Sequence, residues 1–403
     1  MVLVTCSGKD TPGITSKITG VLARHGLEIV DIGQAVLHGW LSLSVLFQQQ
    51  PGGTPKSGPS PLTPTEKAAL DEIRALATTL QLKFETQTFQ DHEAEALPAY
   101  RYAVTLISSR VSAQALHTVT EVLARHRVNI NEIERLSESE FGCVELLLSS
   151  DSKLDRHALK TELLTAARAE GVDLALQAEG LYRRAKRLVA FDMDSTLIQS
   201  EIIDEFARKL GRYDEVAQIT KLAMQGKVPF SEALSQRVAC LKGLTQEQID
   251  AVFQETELTP GAEDLIRVLK KMGYKIALIS GGFSCIADRL KTRLGIDYAY
   301  ANHLILRDQK ATGQVLPPII DAQRKADLLE VIAQQEGIHL DQVIAVGDGA
   351  NDLLMIEKAG LGIAFNAKPA VNARADLALN QKSLKSILYL LGISGRDVSE
   401  VLA

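Results

Sequence analysis

From about residue 187 onward, short runs of uninterrupted apolar residues alternate with stretches whose apolar positions recur every three or four residues. This is the pattern of a parallel sheet wound with helices. Leu188-Val189-Ala190-Phe191 is one such run, the apolar part of Lys275-Ile276-Ala277-Leu278-Ile279 a second, and Val343-Ile344-Ala345-Val346 a third. Each reads as a strand buried on both faces, and each ends in polar residues: Asp192-Met193-Asp194-Ser195-Thr196, Ser280-Gly281-Gly282 and Gly347-Asp348-Gly349-Ala350-Asn351-Asp352. In a parallel sheet with helical crossovers such ends lie along one edge, where open α/β folds bind ligands, so the pattern predicts a single cleft. Between Ile198 and Glu257 there is no strand pattern; Ile202, Ile203, Phe206 and Leu210 mark one helix, and Ala233, Leu234, Val238 and Leu241 another. An all-helical insertion over about residues 198–258 would sit above the strand ends as a lid.

The first half of the chain is patterned differently, and it repeats. Val21-Leu22-Ala23-Arg24-His25 recurs as Val122-Leu123-Ala124-Arg125-His126, and a gapless alignment also matches Ile29 with Ile130 and Ile32 with Ile133, which points to a duplicated unit. In the first copy the pattern predicts a strand at Val2 to Cys6 and a helix at Pro12 to His25 with Ile14, Ile18, Val21 and Leu22 on one face. Strands follow around Glu28 to Leu37 and Leu41 to Phe47, then a helix at Thr65 to Leu80 and a strand near Leu82 to Phe89. The second copy gives the same order, from Tyr102-Ala103-Val104-Thr105-Leu106-Ile107 to Val172-Asp173-Leu174-Ala175-Leu176. Strand-helix-strand-strand-helix-strand is the ferredoxin-like arrangement. The Gln-, Pro- and Gly-rich segment Gln48 to Pro64 predicts a mobile loop. The expected division is residues 1–96, 97–180 and 181–403. His25 and His126 fall at predicted helix ends, where an imidazolium meets the dipole favourably, a structural role.

Composition narrows the function classes. A net charge of −6 argues against nucleic acid as a partner, since phosphate-backbone binding needs a clustered basic surface. The one basic cluster, Tyr182-Arg183-Arg184-Ala185-Lys186-Arg187, reads as a solvated linker. Cys6, Cys143, Cys240 and Cys285 are scattered without metal-ligand or disulfide spacing, as expected of a reduced cytoplasmic protein. The N-terminus lacks the basic start and apolar stretch of a signal peptide, and no apolar run is long enough to cross a bilayer, so no membrane partner is expected.

Two aspartates one residue apart at a strand mouth suit chemistry better than packing, because an ionised carboxylate is almost never buried without a partner or a metal. In isolation Asp192 and Asp194 either cap a turn or carry chemistry, and either one can form an aspartyl-phosphate. The two further polar clusters favour the chemical reading. In the first half, Asp10-Thr11-Pro12-Gly13 offers an acid to a ligand ammonium and a glycine that lets backbone amides approach a carboxylate. The competing reading is that Asp10 caps the helix and Pro12 begins it. The second copy has Val111, Ser112, Ala113 and Gln114 at these positions and lacks both acid and glycine.

Asp192-Met193-Asp194-Ser195-Thr196, Ser280-Gly281-Gly282-Phe283, Lys325-Ala326 and Gly347 to Asp352 together resemble, in order, the motifs of the haloacid dehalogenase superfamily of phosphotransferases, over about Lys186 to Leu391. Ser195-Thr196, Glu201 and the segment Phe230 to Leu244 are similar to the phosphoserine phosphatase family within it. The turn Asp10 to Gly13 resembles the ligand-binding turn of ACT domains, modules that sense amino acids, and paired ACT-like units ahead of such a domain resemble a longer form of that family. The resemblance implies an α/β protein: a C-terminal doubly wound domain with a helical cap, behind two ferredoxin-like (ACT) α+β domains. It implies phosphoserine as substrate, Asp192 as nucleophile, Asp194 as acid and base, and Lys325 as the cation that neutralises developing charge. Mg²⁺ would be held by Asp192, the backbone carbonyl of Asp194 and Asp348, with Asp352 behind them. Ser280 and the amide of Gly281 would hold phosphoryl oxygens at the start of a helix, and Asn351 would contact the phosphate. Glu201 would meet the substrate ammonium, Arg237 would clamp its carboxylate, and Met224 and Phe230 would close the apolar side of the cap. L-serine is the implied regulatory ligand at Asp10 and Gly13, and a homodimer paired through ACT-like sheet edges is the implied assembly. Two alternatives remain: a phosphatase of another small phosphomonoester, or an amino-acid-sensing protein with an inactive phosphatase domain. The intact set Asp192, Asp194, Lys325 and Asp348 weighs against the second.

Overall fold

A computed structural model describes residues 1–49, 62–89, 100–137, 141–224 and 227–403. These fall into two compact units, Met1–Leu97 and Pro98–Ala403. The first unit runs β1 (Val2–Lys9), α1 (Ile14–Arg24), β2 (Leu27–Leu37), β3 (Trp40–Gln49), α2 (Pro64–Thr79) and β4 (Lys83–Thr88). Its strands pair antiparallel in the order β2-β3-β1-β4, the expected ferredoxin-like sheet. Alternate residues of β1 (Val2, Val4, Cys6) and β3 (Leu41, Leu43, Val45, Phe47) are buried beneath the apolar stripe of α1 (Ile14, Ile18, Val21, Leu22). A period of two thus meets a period of 3.6, which is what one-sided burial of sheet and helix requires. α2 is started by a capping box between Thr63 and Glu66 with Pro64 in its first turn. The expected loop lies mostly outside the described residues; β3 already takes up Gln48 and Gln49.

The competing reading of the Asp10 turn is corrected by the backbone. α1 is capped by Gly13 at φ +95°, with no side-chain oxygen on its first amides, so neither Asp10 nor Pro12 starts the helix. That left-handed conformation is what a glycine supplies without strain.

The second unit opens with the second copy: β5 (Tyr100–Ser108), α3 (Ala113–Arg125), β6 (Asn129–Ser137), β7 (Gly142–Ser150), α4 (Arg156–Ala169) and β8 (Asp173–Ala178). Here Ser112 caps the first helix, accepting from the Ala115 amide at 3.0 Å. The repeat extends to the histidines. His25 Nε2 lies 3.0 Å from Glu72 and His126 Nε2 lies 3.2 Å from Glu162, so each helix end carries a carboxylate partner as well as the dipole.

Next come β9 (Leu188–Phe191), the helices α5 (Ile202–Lys209), α6 (Tyr213–Met224), α7 (Phe230–Ala239) and α8 (Gln246–Glu255), and α9 (Ala262–Lys271). The chain continues through β10 (Lys275–Phe283), α10 (Ser284–Leu294), β11 (Tyr298–Arg307), β12 (Lys310–Leu316), α11 (Ala322–Gln335), β13 (Val343–Gly347) and α12 (Leu353–Lys358). It ends with β14 (Leu361–Phe365), the short α13 (Pro369–Asn372), β15 (Leu377–Leu379), α14 (Ser386–Leu390) and α15 (Gly395–Leu402). The expected helical insertion is α5 to α8, closed at its base by an antiparallel bridge between Ile198 and Leu258.

β11, β10, β9, β13, β14 and β15 are parallel neighbours in that order, with β12 antiparallel at one edge. At the other end β15 pairs antiparallel with β8 through Leu377 and Ala175, so the second ferredoxin-like sheet continues the doubly wound one as an eleven-stranded sheet. The helix-free face of β5, β7 and β8 is covered: Ile107, Cys143 and Ala175 share a core with Tyr389 and Leu390. Asp173 also accepts from the Asn380 amide at 2.8 Å and from Gln381 Nε2 at 2.7 Å.

The basic run is solvated only in part: Tyr182, Arg184 and Arg187 are exposed, but two of its cations are not. Arg183 is 6% exposed and donates from two nitrogens to Glu145 at 2.8 Å, and Lys186, equally buried, donates to the Asp341 carbonyl. A guanidinium leaves water only with a carboxylate to meet it, and here that carboxylate lies on the covered face of β7. Among the described residues no helix is long and apolar enough to cross a membrane.

Candidate active site

β10, β9 and β13 lie side by side with Ile276 and Ile344 both in register with Val189. Their C-terminal ends therefore open on one cleft, as the strand pattern predicts. Asp192 leaves β9 with its amide still donating to Val346 O at 2.9 Å, which aims its side chain from the end of the sheet. Lys325, fully buried on the first turns of α11, points its ammonium at two acids: Nζ is 2.7 Å from Asp192 Oδ1 and 2.7 Å from Asp352 Oδ1. The other oxygen of Asp352 accepts from the Gly349 amide at 2.9 Å. Gly347 has no room for a side chain, because a Cβ there would lie 2.5 Å from Asp352 Cγ.

Burial works against the Lys325 ammonium, and the two carboxylates outweigh it, holding the lysine charged well above its ordinary range. Burial and Asp352 push Asp192 up, against the opposing pull of Lys325. Burial, then Asp352 and Glu201, raise Asp348 to about 7. Three carboxylates with one internal cation leave excess negative charge. Oxygens of Asp192, Asp348 and Asp352 lie within 4.8 Å of one another. That donor set of hard oxygens fits a small divalent cation.

Asp194 stands apart from this cluster. Its Oδ1 accepts from the Ile202 amide at 3.0 Å, the first amide of α5, so the acid is held by the first turn of the cap. Its carboxyl is enclosed, and burial, followed by the charge of Glu201, raises it to about 8. Between the two aspartates and α5 the chain reverses through Ser195 at φ +56°, whose Oγ donates to Glu201 Oε1 at 2.8 Å. Arg237 is half-buried on α7; burial lowers its pKa, and the charges of Glu201, Asp204 and Asp194 oppose the shift. Phe230, at the start of α7, reaches over the β10 loop, with Cζ 3.4 Å from the point where a Cβ on Gly281 would sit.

One expectation about position is corrected. Ser280 and Gly281 are not in the first turn of a helix: β10 runs on to Phe283 and α10 starts at Ser284. Two glycines let the strand continue extended, and Ser280 Oγ takes the Gly282 amide at 2.8 Å. Gly282 is needed for close approach, since a Cβ there would fall 2.6 Å from Asp194 Oδ2. Asn351 is partly exposed beside Gly349. α6 ends at Met224, whose side chain is outside the described ones. Two buried supports carry no sequence signal. Thr259 Oγ1 donates to Thr196 O at 2.7 Å, and Asn302 Nδ2 donates to Gly281 O at 2.8 Å.

Comparison with known proteins matches this architecture. Residues 186–360 match the haloacid dehalogenase-like hydrolase family, and residues 1–87 and 101–177 match ACT domain families. The phosphoserine phosphatase of Streptomyces coelicolor is 40% identical over 98% of this chain and 93% of its own. Phosphoserine phosphatase SerB2 of Mycobacterium tuberculosis is 37% identical over 98% and 94%. Among solved structures, a HAD-family hydrolase from Salmonella enterica serovar Typhi superposes with a TM-score of 0.65 at 30% identity, covering 72% of this chain and 98% of that one. A probable phosphoserine phosphatase from Vibrio cholerae gives 0.57 at 29%, covering 74% and 88%. With identity sustained along nearly the whole of both chains and the strand-end acids converging on one lysine, this chain belongs to the phosphoserine phosphatase family, a haloacid dehalogenase-like hydrolase domain preceded by two ACT domains.

Proposed function

We propose that the chain releases phosphate from O-phospho-L-serine in two in-line displacements through an acyl phosphate on Asp192, with Mg²⁺ bound, as the last step of serine synthesis in the cytoplasm. The observation that carries this reading is the pairing of environments at the end of β9: Asp192 is bonded to a buried ammonium, while Asp194 is held at about 8 with no cation in contact. The contact with an ammonium supports Asp192 as the nucleophile, although burial and Asp352 raise its pKa too, and the raised carboxyl of Asp194 supports it as the acid, the division of labour that two-step group transfer needs.

In the first step an Asp192 oxygen attacks phosphorus, the bond from phosphorus to the serine oxygen breaks, and Asp194 gives its proton to that oxygen. In the second, Asp194, now ionised, takes a proton from a water as the water attacks phosphorus; the bond to Asp192 breaks and phosphate leaves. Lys325 offsets charge on the phosphoryl group as it approaches Asp192, and Ser280 Oγ and the Gly281 amide hold its oxygens. Asp192, Asp348 and the backbone carbonyl of Asp194 would hold Mg²⁺, with Asp352 fixed behind them by Lys325 and Gly349. When bound, the ion screens the repulsion between phosphate and carboxylate.

For substrate choice, Glu201 meets the ammonium and Arg237 the carboxylate of serine, with Asn351 on the phosphate and Phe230 and Met224 on the apolar side. The electrostatic coupling of Arg237 to Glu201 supports this, since a zwitterion slots between opposite charges. A panel of phosphoserine, sugar phosphates and nucleotides, each with and without Mg²⁺, tests the reading. Phosphoserine should be hydrolysed fastest and only with the ion; equal rates across the panel would sink the substrate assignment.

We further assign Asp10 and Gly13 as a site for L-serine in the first unit, supported by the open space around Gly13, where a Cβ would meet nothing within 4 Å. A homodimer is supported by the edge strand β2, which leaves Ile29, Ile32 and Val36 on one side 39%, 45% and 47% exposed.

A further inference from the structure

Asn302 lies on β11, outside every motif that marks the site in the sequence, and is 1% exposed. Both ends of its side-chain amide are used. Nδ2 donates to Gly281 O at 2.8 Å, and Oδ1 accepts from the Ile320 amide at 2.8 Å.

The reason for an amide at this point is a break in the sheet. β10 and β11 pair in regular parallel register through Ile279 and Tyr300, then lose register before resuming at Phe283 and Asn302. The skipped residues are Ser280, Gly281 and Gly282. A carbonyl that leaves a ladder inside the protein must find another donor, and two glycines in succession have no side chains with which to fix their own conformation. The peptide between Gly281 and Gly282 is instead held on both sides. Its carbonyl is bound by Asn302 and its amide by Ser280 Oγ, the latter at 2.8 Å.

The second contact leads to the catalytic lysine. Ile320 precedes Asp321, whose carboxylate caps α11 by accepting from the Arg324 amide at 2.8 Å, and whose carbonyl accepts from the Lys325 amide at 2.9 Å. One planar side chain thus spans the loop after β10 and the start of the helix that presents Lys325.

We propose that Asn302 is the positioning residue for phosphoryl recognition: it sets Ser280 and the Gly281 amide at a fixed spacing from Lys325, so that both sides of the phosphoryl group are met together. This rests on the reading that Ser280 and Gly281 hold phosphoryl oxygens. An aspartate at 302 keeps the acceptor for Ile320 but turns an oxygen towards the Gly281 carbonyl, whereas an alanine removes both contacts.

The test compares Asn302→Asp, Asn302→Ala and Ser280→Ala with wild type in the full-length enzyme. It measures inhibition by orthovanadate and by inorganic phosphate, the Mg²⁺ concentration for half-maximal activity, and the melting temperature. Both Asn302 variants should weaken vanadate and phosphate inhibition about tenfold or more, the loss of a buried hydrogen bond. Their Mg²⁺ requirement should stay within about twofold, because Asn302 touches none of the acids; a merely structural role would move both together or neither. Vanadate inhibition within about twofold of wild type in either folded variant, with Ser280→Ala weakened, overturns the assignment of Asn302. If Ser280→Ala also leaves vanadate and phosphate inhibition intact, it is the reading of the loop that fails.

Discussion

Replacing Lys325 by methionine probes the centre of the site, because the lysine is at once fully buried and bonded to two acids at 2.7 Å. Methionine matches its length and removes only the charge and donors. What remains is Asp192 and Asp352 enclosed together with no cation, and breaking a buried pair in this way costs about 3–5 kcal/mol. For a unit of this size about 2 °C is lost per kcal/mol, so the melting temperature without Mg²⁺ should fall by about 6–10 °C. The sign of the pH dependence follows. Wild-type stabilisation by Lys325 persists across the neutral range, since its folded pKa is raised and is reached only at strongly alkaline pH. Asp192 is already raised above its ordinary 3.8 with Lys325 pulling the other way, so removing the lysine raises it further, and the variant loses more stability than wild type as pH rises past about 4. The gap between variant and wild type should therefore widen from pH 4 to pH 8. Adding Asp352→Asn should recover most of the stability and none of the turnover, which separates folding from chemistry. Phosphate release from phosphoserine at saturating Mg²⁺ should drop by about 10³ in both variants. More than a tenth of wild-type turnover in Lys325→Met, or a melting temperature that does not move, would refute the reasoning.

Arg237→Ala should lower kcat/KM for phosphoserine by about 10–100-fold, the worth of a charged hydrogen bond, and leave esters without a carboxylate unaffected; an equal loss on both would remove its specificity role. Lys186 is depressed by burial to about 8, so its protonation opposes folding at neutral pH and stability should rise as pH climbs from about 8 towards 10.5. Lys186→Met should be the more stable protein at pH 7, by at most about 3 kcal/mol, with the advantage shrinking by pH 10 in denaturant titrations. Calorimetry should find L-serine binding that Asp10→Ala weakens about tenfold or more; unchanged binding would move the regulatory site elsewhere.

Much of this was legible from pattern alone where burial is one-sided or complete. The apolar runs ending at Phe191, Ile279 and Val346 are uninterrupted, and the acids that follow the first and the third have no packing reason to be there. The duplicated unit showed because its helices repeat the same apolar stripe. What escaped is what tertiary context decides. Arg183 and Lys186 sit in a run that composition assigns to water, and only the covered face of β7, with Glu145 on it, takes them inside. β15 is three residues long, too short to announce that it joins two sheets. Ser280 and Gly281 fall short of the helix because the strand runs on through the two glycines to Phe283, which the sequence pattern does not signal. Asn302 gave no warning, since a lone asparagine in a strand usually faces solvent.

The account depends on a covalent bond from phosphorus to Asp192. Enzyme quenched during turnover of phosphoserine with Mg²⁺, reduced with borohydride and digested, should show residue 192 converted from aspartate to homoserine by mass spectrometry, with Asp194, Asp348 and Asp352 unchanged. Reduction at Asp194 instead, or phosphate on a serine or histidine, would contradict it.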